Sequence, residues 1–227
     1  MSAAAQKKRG FVITVDGPSA AGKGTLARRL AGHFGYEFLD TGTLYRGVGL
    51  TVLRQSLDPA DESAATAAAK GLKPAILTDP ALRAEATSTA ASKVAAIPSV
   101  RAAILNWQRD FAREAARNSG GAVLDGRDIG TVVCPDADAK LFITASLEAR
   151  AHRRLKELQE RQLQQGGETA IYARVLQDMQ ERDARDQGRS ISPTKPATDA
   201  LIIDTSDLSA DQVFERALAF IASRMKA

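Results

Sequence analysis

A disulfide within the chain is excluded, because Cys134 is the only cysteine among 227 residues, and that scarcity fits a reducing compartment. Histidine is nearly as rare. His33 and His152 stand far apart and assemble no zinc site with the lone cysteine; a buried or capping role is expected of each. Aromatic residues make up 5%, with one Trp and three Tyr, so the core must be built from Leu, Ile, Val and Ala. A base-stacking platform of the RNA-binding kind has no material. No run of about 18 apolar residues occurs, which argues against a membrane span. Residues 2–10 are small and basic, without the apolar stretch of a secretion signal, so a cytoplasmic location is expected. The formal net charge of +4 and pI near 9.3 suit a protein that handles phosphates and are too small to demand nucleic acid.

What is present alternates. Five short apolar runs, Phe11–Val15, Tyr36–Leu39, Ala122–Leu124, Lys140–Thr144 and Leu201–Ile203, read as strands, and several are continuous, as in a parallel sheet buried on both faces. Helical stretches lie between them. Leu26, Leu30 and Phe34 recur at helical spacing and stop at Gly35. Leu147, Ala151, Leu155 and Leu158 follow Ser146, a natural N-cap. Ser209 and Gln212 form a capping-box pair ahead of Val213, Ala217, Phe220 and Ile221. The class is α/β, doubly wound. Residues 55–120 are Ala-rich and helical in propensity, with Pro74–Leu77 the one candidate for a short strand, and are expected to form a helical insert in a core of 1–54 and 121–227. The polar, glycine-containing Gln162–Glu168 is expected to be the centre of a mobile lid spanning about 155–170.

Straight after the first strand stands Gly17-Pro18-Ser19-Ala20-Ala21-Gly22-Lys23-Gly24-Thr25, which opens a helix. Glycines let backbone N–H groups converge on phosphate oxygens, the helix N-terminus adds its positive end, and Lys23 reaches the β- and γ-phosphates. A glycine turn that merely joins strand to helix is the alternative; the lysine, its spacing and the strand–loop–helix context favour ATP. The fold is thus expected to be a P-loop NTPase-type five-stranded parallel sheet flanked by helices. Gly24 occupies the place of the usual magnesium-binding hydroxyl, so Mg2+, arriving as MgATP, is expected to be held mainly through waters and phosphates, with no protein metal cage.

Asp40-Thr41-Gly-Thr-Leu-Tyr-Arg46 and Asp125-Gly-Arg127-Asp128-Ile-Gly-Thr131 follow the second and third strands, at the carboxyl edge beside the phosphate loop. Alone, Arg46 or Arg127 reads as a surface ion-pair partner. Arg182, Arg185, Asp186 and Arg189 change that, because their spacing puts them on one helical face with excess positive charge, above an anchoring stripe of Ile171, Val175 and Met179. Such a clamp is what phosphoryl transfer between two anions requires. Lys23, Arg127, Arg185 and Arg189 are the candidate catalytic residues.

These segments, with the Ala91–Arg101 stretch ASKVAAIPSVR and with SPTKPATDALIIDTS, resemble the bacterial cytidylate kinases collinearly from Phe11 to near the C-terminus. The resemblance implies ATP-dependent phosphorylation of CMP, with dCMP a further acceptor. It implies that Lys23 and the loop amides hold ATP, and that Asp40, Thr41, Arg46, Arg127 and Arg189 serve the acceptor and its phosphate. Arg182 and Asp186 would contact the ribose, and Ser92, Arg101 and Asp128 would read cytosine. Two positions depart from the family: Thr41 stands where serine is common and Ala20 where glycine is common. A UMP or AMP kinase is the nearest alternative, and a nucleotide switch on RNA a more distant one. No membrane and no nucleic acid partner is expected, and nothing suggests an obligate interface, so a monomer is expected.

Overall fold

The structure is a computed structural model that describes residues 10–165, 171–189 and 191–226. Five strands, β1 (Phe11–Asp16), β2 (Glu37–Asp40), β3 (Gly121–Asp125), β4 (Ala139–Thr144) and β5 (Leu201–Asp204), pair in parallel in the order β2-β3-β1-β4-β5. Each lies within a residue or two of its expected position. The continuous apolar runs have a simple cause: both faces are covered. Ile13, Val15, Val123, Leu141 and Ile143 pack beneath Leu26, Ala27 and Leu30 of α1 (Lys23–Phe34) and Val213, Ala217 and Ile221 of α8 (Ala210–Met225). Ala122 and Leu124 point the other way, onto Ala112 and Ala115 of α5 (Pro98–Asn118).

Local signals end and start the helices as expected. Gly35 takes φ +68° and donates its N–H to the Ala31 carbonyl at the end of α1. The Ser209–Gln212 capping box opens α8, and Ser146 Oγ accepts the Ala149 N–H at 3.1 Å ahead of α6 (Leu147–Gln165).

Between β2 and β3 the described residues are helical: α2 (Thr41–Arg54), α3 (Glu62–Lys70), α4 (Glu85–Val94) and α5. Leu44, Val48 and Val52 share a core with Ala65, Ala69, Val94 and Ile104. Gly49 sets how closely α2 and α4 pack, since a Cβ there would lie 2.9 Å from the Ala91 backbone nitrogen. Pro74–Leu77 is not a strand. Pro74–Thr78 and Pro80–Arg83 are 3-10 helical turns, favoured because proline presets φ and offers no N–H to a ladder.

Two other expectations are corrected. Ile171 is 66% exposed, because it precedes α7 (Tyr172–Gln187) with extended φ −103° and ψ 130° and so lies off the helical face; Val175 and Met179 do pack, against Ala151. Both histidines are exposed and not buried: His33, in the last turn of α1, meets Phe34 and Phe214 edge-on, and His152 stacks on Tyr172 at 4.5 Å. Of the expected lid, residues 155–165 belong to α6 and residues 166–170 lie outside the described residues, as do residues 2–9. Among the described residues no helix is long and apolar enough to cross a membrane.

Candidate active site

The parallel register brings three carboxylates to one edge of the sheet. Asp40 at the end of β2 lies opposite Asp125 of β3, Asp125 opposite Val15, and Asp16 closes β1. Gly17 follows with φ +140°, and a Cβ on it would sit 1.9 Å from the Ile143 carbonyl oxygen; only glycine fits. The phosphate loop is pinned by its carbonyls. Arg150 donates to Ser19 O at 3.3 Å, Thr205 Oγ1 to Ala21 O at 3.0 Å and Lys23 Nζ to Pro18 O at 2.7 Å. Loss of water around buried Lys23, reinforced by the positive charge of Arg127, brings its pKa down to about 7. At Gly24 a Cβ would meet an Asp125 carboxylate oxygen at 3.2 Å and Arg28 at 3.3 Å, so the missing side chain leaves Asp125 open to the loop.

Ala20 adopts φ +58°, which costs a non-glycine residue about 1–2 kcal/mol. Its methyl packs against the cluster of Ala151, Val175 and Met179, where a buried carbon contributes up to about 0.8 kcal/mol, and glycine would lose a further ~0.5–1 kcal/mol in unfolded-state entropy. The three terms nearly cancel, which accounts for alanine at a position where glycine is common. Ala20→Gly is therefore expected to move the thermal midpoint by no more than about 3 °C; a much larger rise would show that the methyl contributes no packing.

On the acceptor side, Asp186 is buried between two guanidiniums: Arg127 Nε donates to Oδ2 at 3.1 Å and Arg189 Nη2 to Oδ1. Burial would raise its pKa, but Arg127, Arg189 and Arg182 hold it below the carboxylate range. Among the described residues Arg182 keeps a buried Nε with no hydrogen-bond partner, and burial together with Arg127 lowers its pKa to about 10. Such a cation is short of an anion. Arg46 donates to Asp40 Oδ2 at 2.6 Å and to Thr43 at 2.9 Å. Burial pushes Asp40 up, yet the Arg46 charge and these bonds keep it low, whereas burial does raise Asp125. Thr41 Oγ1 donates to the Asp125 carbonyl at 2.8 Å.

Deeper lies a buried ion pair, Arg101 to Asp128 Oδ2 at 2.5 Å, with 9% and 6% of the two side chains exposed. Arg101 also donates to Ala95 O at 3.2 Å and lies over the Tyr45 ring. Ser92, on α4, is buried and accepts from Arg185 Nε at 3.3 Å.

Arginines from distant parts of the chain therefore share one electrostatic neighbourhood. Lys23 feels Arg127 and Arg182; Arg182 feels Arg127, Arg154 and Arg46; Arg189 feels Arg101 and Arg127. The supposed common helical face is corrected in one respect: α7 ends at Gln187 and Gly188, so Arg189 lies beyond it and reaches Asp186 across the helix end. Arg185 lies at the outer side of the group, 39% exposed and 3.8 Å from Glu181, and joins it through Ser92. Thr25 is exposed. Sequence reasoning passed over Asp16, Asp125, Tyr45, Arg109 and Arg150. Asp125 opens a motif already noted, and its strand-end position beside the phosphate loop was the signal that could have found it.

Comparison with known proteins covers nearly the whole chain. The cytidylate kinase family matches residues 13–223. Cytidylate kinases of Paramagnetospirillum magneticum and Rhodospirillum rubrum are 57% and 53% identical over 213 and 214 residues, covering 94% of this chain and 98% of each relative. A solved structure from Eubacterium ventriosum, 16% identical, covers 94% of this chain and 98% of its own with a TM-score of 0.52, which bears on the fold alone. With the glycine loop, the arginine cluster and the Arg101–Asp128 pair all in the matched span, the chain belongs to the cytidylate kinase family.

Proposed function

We propose that this chain transfers the γ-phosphoryl of MgATP directly to a phosphate oxygen of CMP, and of dCMP. The observation that carries the reading is the knot of Arg127, Asp186 and Arg189 with the Nε of Arg182, unpartnered among the described residues, while Arg127 and Arg182 both act on Lys23. An acceptor phosphate is the natural partner for that charge.

In this reading the acceptor oxygen attacks the γ-phosphorus as the bond to the β–γ bridging oxygen breaks, so the protein supplies no nucleophile. Lys23 and the loop amides hold the β- and γ-phosphates. Arg46, Arg127 and Arg189 hold the acceptor phosphate in line, and Arg182 stabilises charge on the transferred group. Arg182 and Asp186 are also the groups for the ribose. Asp125, whose carboxylate lies beside Gly24, would be the group to hold Mg2+, with Asp40 close enough to share its charge, a pair suited to an ion that keeps waters and borrows phosphates. When bound, the ion neutralises phosphate charge. Arg101 holds Asp128 Oδ2, leaving Oδ1 for the exocyclic amine of cytosine, while Ser92 and Arg101 donate to ring acceptors. Uracil would set a carbonyl against that carboxylate. Action as a monomer in the cytoplasm belongs to the same proposal.

A coupled assay with CMP, dCMP, UMP and AMP tests it. CMP is expected to show the highest kcat/KM, with UMP weaker by about 10²-fold or more; a preference for AMP would overturn the base assignment.

A further inference from the structure

The turn that carries the acceptor machinery is gripped by two charges that the mechanism above does not use. Residues Ile129–Val133 form a short π-helical turn directly after Arg127 and Asp128. At its start, the two carboxylate oxygens of Asp16 accept the N–H groups of Ile129 at 2.8 Å and Gly130 at 2.7 Å. At its end, the guanidinium of Arg109, from α5, donates to the carbonyls of Val132 at 2.9 Å and Val133 at 3.0 Å. A carboxylate on the N–H end and a guanidinium on the carbonyl end satisfy a helical turn's loose groups and its dipole together. Asp16 is also the last residue of β1, next to Gly17. Its side chain therefore ties the strand that aims the phosphate loop to a turn 113 residues away.

We infer that Asp16, with Arg109, is a positioning residue for the acceptor: the pair fixes the turn that presents Arg127 to the acceptor phosphate and Asp128 to its base, and registers both against the phosphate loop. Burial is the largest influence on the Asp16 carboxyl and pushes its pKa up to about 7. The two amide bonds pull the other way without cancelling it. A group kept at such a cost at a sheet edge is held there by what it positions.

The inference rests on the proposed acceptor assignment, so the wild-type panel comes first. Asp16→Asn keeps the shape but turns a donor towards one amide. It is expected to raise the KM for CMP about tenfold, since small misplacements around a reacting pair are costly, to narrow the CMP-to-UMP preference, and to leave the KM for MgATP within about twofold. Arg109→Gln is expected to shift the same parameters in the same direction, less strongly. Equal movement of both KM values, or a lower thermal midpoint with unchanged KM and preference, would overturn the inference, as would failure of both variants to fold. A wild-type protein without cytosine preference would sink the base assignment instead, and the KM for whichever monophosphate it uses would still read the positioning.

Discussion

Lys23→Ala is expected to lower kcat by about 10²-fold or more, because charge stabilisation is the main contribution a protein makes to phosphoryl transfer. The loss is not expected to come from unfolding. Lys23 is a buried ammonium that donates to the Pro18 carbonyl; its removal relieves repulsion with Arg127 and Arg182 and forfeits attraction to Asp125 and Asp40. The thermal midpoint of the variant should therefore stay close to that of the wild type. The same environment predicts a proton linkage. In the free protein the ammonium gives up its proton near pH 7, through burial first and Arg127 second. A polyphosphate beside it restores the proton. MgATP binding should then take up a proton above pH 7, and affinity should weaken as pH climbs from there, while at pH 6 the lysine is charged in both states and uptake vanishes. Calorimetric titrations at pH 8 in buffers of differing ionisation heat check this; uptake that persists in Lys23→Ala would assign the proton to another group.

The phosphate loop was legible because its instructions are local. Gly17 and Gly35 stand where the backbone needs positive φ, the strand is a continuous apolar run, and the helix repeats its leucines. The strand ends were legible too, and from them the sheet edge where Asp40, Asp125 and the loop meet. Contacts made by partners remote in the sequence were not. Nothing in the composition around Asp16 says that its oxygens will take amides of Ile129 and Gly130, nor that Arg150 will bridge Ser19 O and, at 2.6 Å, Asp183. Periodicity also misleads where helices stop. Counting by three and four carried Arg189 past the end set by Gly188, and Ile171 back before the start. Pro74–Leu77 has strand-like residues, but among the described residues no strand pairs with it, and proline decided for a turn.

The base pocket yields the second large effect. Asp128→Ala removes one half of a buried ion pair, and Arg101, 9% exposed, is left without its carboxylate; truncating such a partner costs about 2–5 kcal/mol where it serves binding. On the proposed assignment the cost appears on the acceptor alone, as a fall of about 10²–10³-fold in kcat/KM for CMP, with the KM for MgATP nearly unchanged. UMP should lose far less, because a carbonyl never gained from that carboxylate, so the ratio of the two acceptors should collapse towards one. Asp128→Asn separates charge from hydrogen bonding: its amide retains an oxygen for Arg101 but turns a donor towards the cytosine amine, so preference should swing towards UMP. The fold should survive better in Asp128→Asn than in Asp128→Ala, since Arg101 also holds the Ala95 carbonyl and lies over Tyr45. If both variants damage ATP and CMP kinetics equally, Asp128 serves the fold of the turn and not the base, and cytosine must be read elsewhere in the cleft.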